Sequence, residues 1–155
     1  MITQNLTPPT TQRSFATAWG ELDYLCRKTH YWLYVRRRRA QAEHFAGRLK
    51  KVLESLPRSD VAILREDGCA LLCEMRGELP QAIKHRRREI ELMQKLQRDA
   101  ASPKYDEATR AYMLQGRGEL ALAARQAIVV SLEKRRKEAR LRTQRQGDPA
   151  TVSIR

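Results

Sequence analysis

An all-α fold is what this sequence predicts, and three observations carry the expectation. Apolar residues recur three and four apart through most of the chain, the period of a helix with one buried face. Breakers fall at intervals, at Pro57, Gly77 to Pro80, and Ser102-Pro103. Few residues are β-branched, which argues against sheet. The architecture expected is a helical bundle or a short stack of antiparallel helical hairpins. At 155 residues the chain can build its own core without disulfide or metal staples. The expected organisation is one all-α domain over residues 14–143, with flexible tails at 1–13 and 144–155. Pro8 and Pro9 sit in the first tail, Gly147 and Pro149 in the second.

The elements follow in order. Phe15, Trp19, Leu22, Cys26, Thr29 and Leu33 form a first helical stripe, with Ser14 as its N-cap. Thr29 is its one poorly apolar member. Ala42, Phe45, Leu49, Val52 and Leu56 form a second stripe, ended by Pro57. The two are out of phase across Arg36 to Arg39, so either one long helix changes its buried face there or two helices meet. Ser59 and Asp60 cap a third helix with Ile63, Cys69, Leu72 and Met75 inside and Gly77 as its C-cap. Pro80 opens a fourth, which runs to about Ala101 and buries Ala82, Ile83, Ile90, Met93 and Leu96. A fifth segment starts at Tyr105-Asp106, and Gly116-Arg117-Gly118 is placed to divide it.

The chain echoes itself once. The decapeptide Ala70 to Leu79 aligns with Ala111 to Leu120, sharing Ala70/Ala111 and the tetrapeptide Arg-Gly-Glu-Leu, and Ala82 then matches Ala123. The first copy resembles a tetratricopeptide hairpin over about residues 70–92, with a fainter second copy near 111–133. That family places a small residue in its first helix, a Gly at the turn and a small residue early in its second helix. Ala70, Gly77 and Ala82 stand at those positions, and Gly118 and Ala123 are their counterparts in the second copy. The resemblance implies paired helices packed closely and a role in holding a protein partner. Where the family carries an aromatic and then a small residue, this chain has Arg86 and Glu89. An ordinary helical hairpin within a bundle fits the same residues.

Charge is the other strong signal. Thirty-one basic residues face eighteen acidic ones, a net +13. The excess gathers in three runs: Arg36, Arg37, Arg38 and Arg39; Lys84 with Arg86, Arg87 and Arg88; and Lys134, Arg135, Arg136 and Lys137, followed by Arg140, Arg142 and Arg145. Arg binds phosphate through two N–H groups and stacks on bases, so these runs are candidate RNA or DNA contacts. Trp32 and Tyr34 lie directly before the first run, where aromatics interleaved with basic residues suit single-stranded nucleic acid. Aromatics at helical spacing also serve as helix–helix contacts. Lys and Arg near a helix C-terminus also complement its dipole.

Catalytic groupings are not expected. Neighbouring carboxylates such as Glu66 and Asp67, or Glu89 and Glu91, point to different helix faces. There is no phosphate-binding Gly-rich loop, dinucleotide fingerprint or nucleophile elbow, and no cofactor is expected. Cys26 and His30, like Cys69 and Cys73, are four apart, so two facing helices could offer three sulfurs and an imidazole to zinc. Buried free cysteines give the same spacing, and no metal is expected. Three cysteines, an odd number, do not make a secreted disulfide framework. The longest apolar runs, Tyr31 to Val35 and Ala127 to Val130, are far shorter than a membrane span. The first residues lack the charged-then-apolar order of a signal peptide. Cytoplasmic residence is therefore expected, and a membrane partner is not. These readings converge on a non-enzymatic basic helical adaptor that binds a protein partner or self-associates. The alternative is a small nucleic-acid-binding accessory protein.

Overall fold

The computed structural model describes residues 15–56 and 62–147, with side chains described from Trp19 onward. The tail 1–13, the caps Ser14, Ser59 and Asp60, the breaker Pro57, the side chain of Phe15 and residues 148–155 lie outside the described set. Six α-helices and one π-helical turn make up the described residues: α1 (Phe15–His30), the π turn (Tyr31–Val35), α2 (Arg39–Ser55), α3 (Ala62–Arg76), α4 (Leu79–Ala100), α5 (Glu107–Met113) and α6 (Glu119–Gly147). The fold is all-α. Chain contacts divide the span expected as one domain into two compact units, Met1–Gly68 and Cys69–Arg155, with the boundary inside α3.

In the first unit α1 packs on α2. Leu22, Leu25 and Cys26 from α1 meet burial from Ala42, Ala46, Leu49, Val52 and Leu53 of α2 and Leu64 of α3. Thr29 is buried as well, because its hydroxyl donates to the Leu25 carbonyl one turn back at 2.7 Å and so needs no water. The Tyr24 and Phe45 rings meet edge to face at 6.4 Å. Gly68 permits the close approach of α3 to α2, since a Cβ there would stand 3.0 Å from Leu53 Cδ1.

The out-of-phase stripes resolve into two helices. At the end of α1 the Arg36 N–H donates to the carbonyl of Tyr31, five residues back, so the last turn widens to π geometry. Arg37 then takes φ +53°, the left-handed conformation, and the Arg38 N–H reaches the Trp32 carbonyl at 2.8 Å. The arginine run is thus the turn of a helical hairpin.

In the second unit Gly77 closes α3 with φ +72°. The Gly77 N–H donates to the Glu74 carbonyl and the Glu78 N–H to the Cys73 carbonyl, which satisfies two carbonyls the helix end leaves open. Pro80 sits in the first turn of α4, where its missing N–H costs nothing. α4 and α6 pack antiparallel: Gln97 Nε2 donates to the Arg117 carbonyl at one end, and Ala82, Ile83, Cys73 and Leu132 cluster at the other, with Leu79 and Ile128 packed against them. Gly118 begins α6 by accepting the Leu122 N–H. α6 reaches Gly147, so residues 144–147, read from sequence as tail, continue the helix.

Between these helices lies a charge network that periodicity alone does not reveal. Arg86 of α4 is 0% exposed. Its Nε and Nη2 donate to the two carboxylate oxygens of Glu74 on α3, at 2.8 and 3.2 Å, and its Nη1 donates to Glu89 Oε2 at 3.0 Å. The remaining oxygen of Glu89 accepts from Arg125 of α6. Two cations and two anions thus cancel, and every carboxylate oxygen has a donor, the condition under which burial of charge is tolerated. Ile90 and Leu96, expected inside, are only half-buried.

Removing one member strands the others. Arg86→Ala is expected to lower the unfolding free energy by about 3–5 kcal/mol in urea titrations, whereas Arg88→Ala, on an exposed pair with Glu91, shifts it by about 0.5 kcal/mol or less. At α5, Asp106 caps the helix: the Thr109 hydroxyl, and then its N–H at 2.7 Å, hold the Asp106 carboxyl below its ordinary range. A depressed carboxylate stabilises the fold above its unfolded-state pKa, and that contribution is lost as pH falls through the folded value. Thermal unfolding of Asp106→Ala should therefore fall below that of the parent near neutrality, with the gap closing in acid.

Candidate nucleic-acid interface

The three basic runs meet three different fates. The first occupies the hairpin tip of the first unit, with Arg36, Arg37, Arg38 and Arg39 all exposed. No acidic residue lies in the first turn of α2, so the positive end of that helix dipole adds to the arginines rather than being neutralised. Arg36 Nε donates to the Tyr31 hydroxyl at 2.8 Å, and Arg39 pairs with Glu43 one turn on at 2.9 Å. Trp32 and Tyr34 are half-buried, with Tyr34 5.0 Å from the His30 ring, whereas Tyr31 is exposed. Of the aromatics near the tip, Tyr31 rather than Trp32 or Tyr34 offers a ring to solvent.

The second run is dispersed by packing. Arg86, expected among the surface candidates, is withdrawn into the core, where it donates to both oxygens of Glu74. Arg87 bonds Glu133 of α6, and Arg88 bonds Glu91, so each shares its charge with a carboxylate. Lys84 is exposed.

The third run is of another kind. Leu132 is the last buried residue of α6, and from Lys134 to Gly147 every side chain is exposed apart from half-buried Arg136 and Ala139. These fourteen residues hold seven Lys or Arg and one acid, Glu138. At 1.5 Å per residue they form about 21 Å of helix. The basic residues lie on all sides, since positions 134, 135, 136 and 137 cover a full turn.

The residues quoted for the repeat separate as well. Ala70 and Ala82 are fully buried and Gly77 is left-handed. In the second copy Ala111 and Ala123 are exposed, and the left-handed glycine is Gly116, not Gly118. The shared tetrapeptide therefore adopts two backbone conformations. Among the described residues no three His, Cys, Asp or Glu side chains gather as a metal site. Burial, followed by the charge of Glu78, pushes the Cys73 thiol up, which leaves it protonated at neutral pH. No helix among the described residues is long and apolar enough to cross a membrane.

Compared with known proteins, the chain matches no family model, no curated protein sequence and no solved structure.

Arg37 offers a local test. A side chain in the left-handed region costs about 1–2 kcal/mol, and glycine removes that cost while adding entropy to the unfolded chain. Arg37→Gly should stabilise the first unit by about 0.5–1 kcal/mol, read as a rise in the unfolding midpoint, and Arg38→Gly should not.

Proposed function

We propose that this protein is a non-enzymatic basic helical adaptor whose cationic helix end docks on nucleic-acid phosphates. The observation that supports this most is the end of α6, where seven basic residues in fourteen leave the core on a helix whose side chains are exposed apart from half-buried Arg136 and Ala139. A helix of that length is marginal alone in water, and its like charges repel one another. A polyanion relieves that repulsion and releases counterions as it does so. Because the charges encircle the helix, contact is with phosphate rather than with base edges, and binding is sequence-independent. The arginine tip between α1 and α2 supplies a second cationic contact beside the exposed Tyr31 ring. The tetratricopeptide-like hairpin of Ala70, Gly77 and Ala82 serves as the body of the adaptor, and protein binding is its other half.

Fluorescence anisotropy with labelled single-stranded RNA and duplex DNA across a salt series tests the reading. Binding that persists at physiological salt is expected, with log K falling linearly against log salt. Reversing Lys134, Arg135, Arg140 and Arg142 to Glu should reduce that slope by about 3 with helical circular dichroism unchanged. Reversing Arg36 to Arg39 measures the share of the tip. Loss of all binding by physiological salt overturns the proposal.

A further inference from the structure

α6 is apolar on two sides. Its inner side carries Ile128 and Leu132 into the cluster with Cys73, Ala82 and Ile83. Its outer side carries Leu120, 90% exposed, and Val130, 66% exposed, with exposed Ala123, Ala124 and Ala127 between them. Spacings of three, one, three and three put these five residues on one stripe about three turns long. A helix apolar on both sides is built to be covered on both sides.

We infer that the outer stripe is covered by α6 of a second copy of this chain, packed antiparallel about a two-fold axis at Ala127. The charges at its two ends favour a copy over another occupant. Glu119 lies eight residues before Ala127, about 12 Å along the axis, and Lys134 and Lys137 lie about 10 and 15 Å after it. Antiparallel pairing sets Glu119 of one copy beside Lys134 and Lys137 of the other, and two-fold symmetry repeats the contact at the far end. Parallel pairing would set lysine against lysine. The three alanines at the centre let the helix axes approach to the short end of the usual 8–10 Å range, and Leu120 and Val130 fill the flanks. One helix face is a small interface, so the dimer forms in the micromolar range. The inference names the protein partner of the adaptor reading, and its test contains no nucleic acid, so either can fail alone.

The test is sedimentation equilibrium over a concentration series. The parent should be dimeric at high concentration and dissociate on dilution. Val130→Glu, an exposed substitution that leaves the inner core untouched, should weaken dimerisation about tenfold or more with circular dichroism unchanged. Glu119→Lys should weaken it less, and adding Lys134→Glu with Lys137→Glu should restore it, which a merely destabilised fold would not do. Oxidation of Ala127→Cys should link two copies through position 127, identified by peptide mass mapping, whereas Leu120→Cys should not link to itself. A parent that stays monomeric throughout overturns the inference. So does a dimer indifferent to Val130→Glu, or one linked through position 120 instead of 127.

Discussion

The second unit depends on one buried arrangement, the alternation Glu74, Arg86, Glu89, Arg125. Both oxygens of Glu74 are occupied by Arg86, whose remaining nitrogen binds Glu89, whose remaining oxygen is left for Arg125. An antiparallel pair of helices joined only by apolar side chains could slide by a turn at modest cost, since Ala, Ile and Leu accept many neighbours. The Glu89–Arg125 bond opposes that slide, because any other register strands a charge in the core. It therefore fixes the point at which α6 leaves the core, and with it how much basic helix stands free.

Much of this was legible as pattern. The limits of α4, the division of the fifth segment near Gly116 to Gly118, the left-handed Gly77 and the change of face at Arg36 to Arg39 all followed from breakers and phase. Burial widths did not follow as well: Leu25, Ala46 and Leu53 lie inside although they fall beside the narrow stripes. Arg86 misled because it belongs to a run of surface-like residues, and residue type outweighed position. Position carried the answer. Ala82, Arg86, Glu89 and Met93 step by four, three and four, which sets Arg86 and Glu89 on the buried face of α4. The repeated Arg-Gly-Glu-Leu misled in the opposite way, since the same four residues end one helix at Gly77 and start another at Gly118.

Three basic runs that look alike in the sequence thus differ in physical state. Packing against α6 and pairing with Glu133 and Glu91 remove most of the charge of the α4 run. The hairpin tip keeps its arginines exposed and holds Arg37 in a conformation that glycine would adopt at lower cost. At the end of α6 most of the basic side chains are exposed, since Leu132 is the last buried residue of that helix. A count of Lys and Arg cannot separate these cases, because some of the acids that pair with them lie on other helices, Glu74 on α3 and Glu133 on α6.

The ionic alternation also orders events during synthesis. Arg125 lies 36 residues after Glu89, so at about 5–20 residues per second the ribosome needs roughly 2–7 s to supply it. During that interval Glu89 of the nascent hairpin lacks the guanidinium of Arg125 that completes the network. The cation that completes the network is delivered by the same helix that brings Leu132 over the core.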